Sequence, residues 1–387
     1  MNEDVYLNRA FQYRTQIVNR IAVRVLAERE GVGSVEAVFQ TAERAQTPVR
    51  AQALERPQEM PRQGGQRPPQ RGAKVPLGAF QWDKDYESRF ERDRLGHITI
   101  GGAYFMPVVR NVPVFPGRGL APGDTWTAEG HEMHDFSGNF GIREPYRIPF
   151  TASYRYLGER LWQNEPCPAF EVRYRILTEP PPAKGRAWPL RIRGDSRQIV
   201  YWDAERGRER AYTETFRMIF DLSDGTTIEF RGSASAEVVN PEEMNKAGIV
   251  DDIKKELEEQ GIEGVDVEAG AEGVKITLED IRFEADSARL LPSERAKLDA
   301  IGGILRRYAD RDLLVEGHTA LAGLAENRGP LSLERAQAVA GYLEGQGVRA
   351  PDRIITRGAG ADRPVADNRT EAGRARNRRV EITILEN

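Results

Sequence analysis

The chain has 387 residues, enough for two or three domains. A formal net charge of −4 and a pI near 5.9 exclude a global basic field for nucleic acid, and a mean hydropathy of −0.59 describes a soluble, surface-rich chain. No run approaches the roughly 18 apolar residues of a transmembrane segment, and the single Cys167 excludes an intrachain disulfide without fixing a redox compartment.

Met1-Asn2-Glu3-Asp4 lacks the basic and apolar regions of a secretory signal. On these residues alone, the chain either stays inside the cell or starts after a removed or mis-assigned signal. Residues 3 to 30 read as an amphipathic helix, because Val18, Ile21, Ala22, Val25 and Leu26 follow the i, i+3, i+4, i+7 rule and Gly31 and Gly33 stop it. A second short helix is expected from Ser34 to Ala45, giving a helical N-terminal segment over 1–45. Residues 46–75 are rich in Pro, Gln, Arg and Gly; with few large apolar side chains, Thr47 to Lys74 reads as an extended or disordered linker.

Residues 76–239 read as an antiparallel β-rich domain, a curled sheet or partial barrel of about eight strands. Phe170, Val172, Tyr174 and Ile176 alternate with Glu171, Arg173 and Arg175, and Phe216, Met218, Phe220 and Leu222 repeat that spacing. Ser223-Asp224-Gly225, and Asp203 to Gly207 after Ile199–Trp202, mark hairpin turns. The expected core is the sheet's own aromatic side chains, with an apolar groove as the minority outcome.

Residues 240–387 alternate between the two periods. A helix is expected from Pro241 to Gln260, then a strand through Val274, Ile276 and Leu278 that continues past Ile281 to Phe283. Pro292 opens a helix with Leu298, Ile301, Ile304, Leu305 and Tyr308 inward. Leu313 to Val315 is a strand, Ser332 caps the next helix, and Arg353 to Thr356 and Val380, Ile382 and Ile384 are strands. The whole is an α+β multidomain chain.

Three motifs stand out in this last region. Gly317-His318-Thr319-Ala320 is followed, fifteen residues after Ala320, by Arg335 within Leu331-Ser332-Leu333-Glu334-Arg335-Ala336, and Asn377-Arg378-Arg379-Val380-Glu381-Ile382 closes the chain. Phe283 with Ser287 and Leu290, Gly358-Ala359-Gly360, Pro364, Asn368 and Gly373-Arg374 add to the pattern. Over roughly residues 270 to 386 it resembles the OmpA-like domain, which ties bacterial envelope proteins to peptidoglycan. The resemblance implies a βαβαββ two-layer sandwich, periplasmic or envelope localisation with outer-membrane association allowed, and a signal that the sequence does not show.

It also implies a site. In the family an Asp pairs with the ammonium, and an Arg with the carboxylate, of the diamino acid in the peptidoglycan stem peptide. Carried over by position, the Arg is Arg335, but the Asp is Ala320. A family Asn falls on Arg328, with Asn327 one place earlier; Thr319, Asn377 and Arg378 complete the implied site.

Apart from the family, Arg335 in the first turn behind a Ser332 cap would oppose the helix dipole and call for an anion, either Glu334, Glu326 or Glu371 or a ligand carboxylate. His318 reads as orienting its turn. His131 and His134, three apart, would point to opposite faces of a strand, so neither they nor Cys167 between two prolines suggests a metal site or a nucleophile. No catalytic residue, metal or cofactor is expected. The function expected is a non-enzymatic envelope protein associating with peptidoglycan, with recognition altered or weakened at Ala320. The alternatives are a scaffold with envelope protein partners that has lost peptidoglycan binding, and a carrier of an apolar ligand or lipid in the β-rich domain.

Overall fold

The computed structural model describes residues 1–46, 80–182, 187–239, 243–279, 281, 283, 290–322 and 324–386. The chain divides into two compact units, residues 1–48 with 83–239 and residues 49–82 with 240–387. The linker expected over Thr47 to Lys74 lies outside the described residues, as does Ser287.

The first unit is antiparallel β. Its strands are β1 (Asn2–Leu7), β2 (Ala10–Arg29), β3 (Val32–Gln46), β4 (Phe80–Asp93, from Asp83 onward in this unit), β5 (Ile98–Ile100), β6 (Val109–Arg110), β7 (Thr125–His134), β8 (Tyr146–Trp162), β9 (Glu165–Thr178), β10 (Pro189–Asp203), β11 (Arg208–Leu222) and β12 (Thr227–Glu237). A one-turn helix α1 (Ser137–Phe140) interrupts them. Pairing runs continuously from β6 through β7 to β12 and on through β1, β2 and β3.

The helices expected over 3–30 and Ser34–Ala45 are therefore strands. Two-residue turns decide this. Asn8-Arg9 (φ 48° and 70°) joins β1 to β2, and Glu30-Gly31 (φ 53° and 80°) joins β2 to β3. Positive φ at both central residues is the hairpin geometry that matches strand twist. The apolar residues of this stretch satisfy a helical and an alternating pattern at once, and the β-branched Ile17, Ile21, Val23 and Val25 favour the alternation.

Phe170, Val172, Tyr174 and Ile176 are buried, with Phe220, Leu222, Ile148 and Phe150. Rings fill the same face: Trp126 stacks on Tyr154 at 5.0 Å, Phe150 on Tyr174 at 3.9 Å, and Phe115 meets Trp202 edge-on at 4.7 Å.

The second unit runs α2 (Lys246–Glu259), β13 (Val265–Ala269), β14 (Gly273–Glu279), α3 (Pro292–Arg306), β15 (Leu313–Gly317), α4 (Ala325–Gly345), β16 (Ile354–Gly358), α5 (Glu371–Asn377) and β17 (Arg379–Leu385). Sheet neighbours follow the order β13, β14, β17, β15, β16. Only β15 and β16 among these are parallel, with α4 as the crossover that a parallel pair requires. Phe80 and Gln81, which belong to this unit, add a parallel pairing beyond β16, and the Thr356 hydroxyl donates to Phe80 O at 2.8 Å.

Leu298, Ile301, Ile304 and Leu305 of α3 and Ala336, Val339, Ala340 and Leu343 of α4 pack on Val274, Ile276, Leu278, Val315, Ile382 and Ile384. Three features depart from the expected order. β13 and α5 are additional, and β14 ends at Glu279, while Phe283 makes an isolated bridge to Leu290.

Candidate ligand-binding site

β15 and β16 end side by side, Gly317 opposite Gly358. Helix α4 crosses these ends so closely that a Cβ on Gly317 would lie 2.0 Å from Ser332 O, and one on Gly358 would lie 2.7 Å from Leu333 N. Only glycine fits at either strand end.

Ser332 is not a cap. Helix α4 starts at Ala325 and continues through Pro330, and Ser332 is fully buried within it. Gly329-Pro330 reads locally as a boundary, but the helix passes through it. The Ser332 hydroxyl donates to Gly329 O at 2.7 Å and accepts from Gly360 N at 2.9 Å, so it satisfies a backbone group of the loop after β16. Arg335 consequently stands ten residues after Ala325, well outside the first turn, and the dipole argument for a facing anion does not apply. Its guanidinium carbon lies 5.0 Å over the Phe283 ring, a cation–π distance. Glu371, one of the expected partners, instead binds Arg374 at 2.6 Å and Arg378 at 3.1 Å.

The turn after β15 is held from three sides. His318 N donates to Arg379 O (2.9 Å), Thr319 N to Gly360 O (2.8 Å), and Leu321 N to Asn368 Oδ1 (2.9 Å). Thr319 and Ala320 are both buried. Arg328, half-buried, donates from Nε to Ala322 O at 3.1 Å.

Asn377 is buried, and its amide is fully used. Oδ1 accepts from Val365 N (2.8 Å) and Ala366 N (3.0 Å), and Nδ2 donates to Ala366 O and Asn368 Oδ1, both at 2.9 Å. Asn377 thus braces Asn368, which in turn braces Leu321. Hydrogen bonds thus connect Thr319 to the α4 turn at Ser332, and Asn377 to the residue after Ala320; Arg378 is turned to Glu371.

Behind the turn lies a cluster that the motif reading missed. Glu316 and Glu381 are opposite each other on β15 and β17, and Arg357 is opposite Glu316 on β16. His318 Nε2 lies 3.1 Å from Glu316 and 3.6 Å from Glu381, ion-pair distances off the line a hydrogen bond needs. Arg379 Nε binds Glu381 at 2.7 Å, and Arg357 and Arg363 each reach Glu316 at 3.1 Å.

Burial pushes the Glu381 carboxyl up, but His318 and Arg379 outweigh it and hold it down at about 2. Glu316 is lowered against burial by His318, Arg357 and Arg363. Burial lowers His318, and the two carboxylates raise it above its ordinary range. Among the described residues, Glu316, His318 and Glu381 have donor atoms within 4.8 Å, the spacing of a metal site. The arginines already neutralise both carboxylates, so the donor set fits an ion network rather than a divalent cation. The signal was present as Glu-x-His running off the end of β15 and Arg-x-Glu at the start of β17, residues two apart.

In the β-rich unit, His131 and His134 both lie on β7, and His134 binds Glu132 at 2.7 Å. Cys167 is a buried free thiol.

Residues 282–378 match the OmpA family. The peptidoglycan-binding protein ArfA of Mycobacterium tuberculosis is 40% identical over 104 residues, 27% of this chain and 32% of ArfA, so the chain spans about a third of that relative. The outer-membrane lipoprotein YfiB of Pseudomonas aeruginosa is 36% identical over 129 residues, 33% of this chain and 73% of YfiB. A solved structure, the cell wall anchor of the T6SS from Pseudomonas aeruginosa, is 33% identical, covers 37% of this chain and 99% of its own, and has a TM-score of 0.31. Through residues 282–378 the chain belongs to the OmpA family.

Proposed function

We propose that this is a non-enzymatic cell-envelope protein whose C-terminal unit associates with peptidoglycan on the periplasmic side. The observation that carries the reading is the OmpA match over residues 282–378, which spans the Thr319–Ala320 turn, Arg335 and Asn377. Relatives named as a peptidoglycan-binding protein and an outer-membrane lipoprotein support it.

In this reading Arg335 receives the stem-peptide carboxylate, a contact that a guanidinium makes with two parallel bonds. Thr319 and Ala320 form the floor, Arg328 and Arg378 border it, and Asn377 sets its shape through Asn368. Ala320 offers a methyl where an acceptor for an ammonium would stand. Loss of one charged hydrogen bond costs about 1.5–3 kcal/mol, so a stem peptide with a free ammonium on its third residue is held weakly. The β-rich unit is then a separate module carried by this anchor.

Co-sedimentation of the full chain with purified sacculi tests the reading. The wild-type chain pellets with sacculi and Arg335→Leu pellets less. A folded wild-type chain that stays in the supernatant with every sacculus tried would remove peptidoglycan from the account and leave the scaffold function.

A further inference from the structure

We propose, resting on the peptidoglycan reading above, that the C-terminal site takes stem peptides whose third-residue amine is acylated, as it is in a peptide cross-link, and discriminates against the free ammonium.

The diamino acid of the stem peptide ends its side chain in an amine and a carboxylate on one carbon. A cross-link joins that amine to the carboxyl carbon of an alanine in a neighbouring stem. The nitrogen becomes a neutral amide N–H carrying an alanyl group, and the carboxylate stays free. A contact from Arg335 to the carboxylate is then common to both forms, and selection falls to the groups set against the nitrogen.

The residues around Ala320 suit the amide on three counts. Ala320 is buried and carries only a methyl. An ammonium brought there gives up its water for no acceptor, a heavier loss for a charge than for an amide N–H. The charge at the turn is also of the wrong sign for an ammonium. Ala322 N donates to Ala320 O at 2.8 Å, and Ala322 O accepts from Arg328 Nε at 3.1 Å. The Arg328 guanidinium therefore stands against the same tight turn that carries Ala320, where it repels a cation and leaves a neutral amide indifferent.

The flanking residues are neutral or apolar. Thr319 is 8% exposed, and its Oγ1 has no hydrogen-bond partner among the described residues. A hydroxyl oxygen accepts from an amide N–H at full value. On the other side Leu321 is 56% exposed and Leu324, just ahead of helix α4, is 63% exposed. These two side chains offer apolar surface to the alanyl methyl that a cross-link brings.

Calorimetric titration of the full chain with three soluble muropeptides tests the proposal. They share one sugar and stem: the first keeps its free side-chain amine, the second is N-acetylated on that amine, and the third is the cross-linked dimer. The acetylated peptide isolates the loss of charge from any contact with a second stem. Acetylated and cross-linked peptides should each bind about tenfold tighter or more than the free amine, and Ala320→Asp should invert that order. The wild-type ranking stands without the variant, should a buried Asp fail to fold. If the free amine binds as tightly as the acetylated peptide, or tighter, the selection is overturned and the peptidoglycan reading stands. If none of the three binds, both fall.

Discussion

Glu316 and Glu381 in the C-terminal unit are buried among Arg357, Arg363, Arg379 and His318, and both carboxyls are held below their ordinary range. In the β-rich unit Glu214 is also withdrawn from water, but its partners are the Ser196 hydroxyl at 2.7 Å and the Gln198 amide at 3.2 Å. Burial and the nearby Glu132 raise it, and the two neutral donors do not offset that. Glu3 on β1 is pushed up to about 7 by burial and by Glu43. Burial is common to all four groups, so the partner sets the sign. A cation makes the ionised carboxylate the form that folding favours, while neutral donors leave the protonated form favoured.

Removing one cation should break this contrast most severely. Arg379→Met leaves Glu381 buried beside a lost partner, and such a break costs about 3–5 kcal/mol. Denaturant unfolding, read by hydrogen exchange on β17, should show it. A loss below about 1 kcal/mol would mean that His318 and Lys275, whose Nζ lies 3.7 Å from Glu381, suffice.

Ser332→Ala should cost less, about 1–3 kcal/mol, by leaving Gly360 N buried without its acceptor. The loss should appear first as faster exchange in the loop after β16.

The pH dependence sharpens the comparison because the signs oppose. Glu381, lowered to about 2, contributes stability that is complete above the ordinary carboxylate value of 4.5 and is lost as pH falls through about 2. His318, raised, contributes stability that is complete below the ordinary imidazole value and is lost as pH rises through its folded value. The C-terminal unit should therefore be most stable between those two ordinary values. Glu3 behaves the other way: folding favours its protonated form, so the β-rich unit loses stability as pH rises from 4.5 to about 7. Glu3→Gln should flatten that slope in the β1 and β2 amides and leave β17 unchanged. The smallest effect is expected from Glu214→Gln, which keeps a polar group of the same shape for Ser196 and should be neutral or slightly stabilising at neutral pH in a thermal melt.

The same contrast shows what the sequence could reveal. The alternation at Val274, Ile276 and Leu278, the Pro292 helix start and the closing Val380–Ile384 strand were legible because each buries one face with one period. β13 offers only Val265 and Val267, and α5 has no apolar face, so neither rises above loop. In β2 the apolar residues fit two periods, and the deciding turns depend on positive φ at Asn8, Arg9 and Glu30, residues that rarely adopt it.

Of the site, the order of Thr319, Ala320, Arg335 and Asn377 was visible. The bonding was not: that Ser332 serves Gly360, that Asn377 serves Asn368, and that Glu316, His318 and Glu381 converge are facts of tertiary register.

In the proposed reading, Arg335 receives a carboxylate and Ala320 leaves an ammonium without an acceptor. Titration of the full chain and of Ala320→Asp with a soluble stem peptide bearing an ammonium on its third residue tests it most directly. The account predicts weak binding by the wild-type chain, and binding roughly ten- to a hundredfold tighter once the carboxylate is supplied. Equal or weaker binding by a folded Ala320→Asp chain would contradict it.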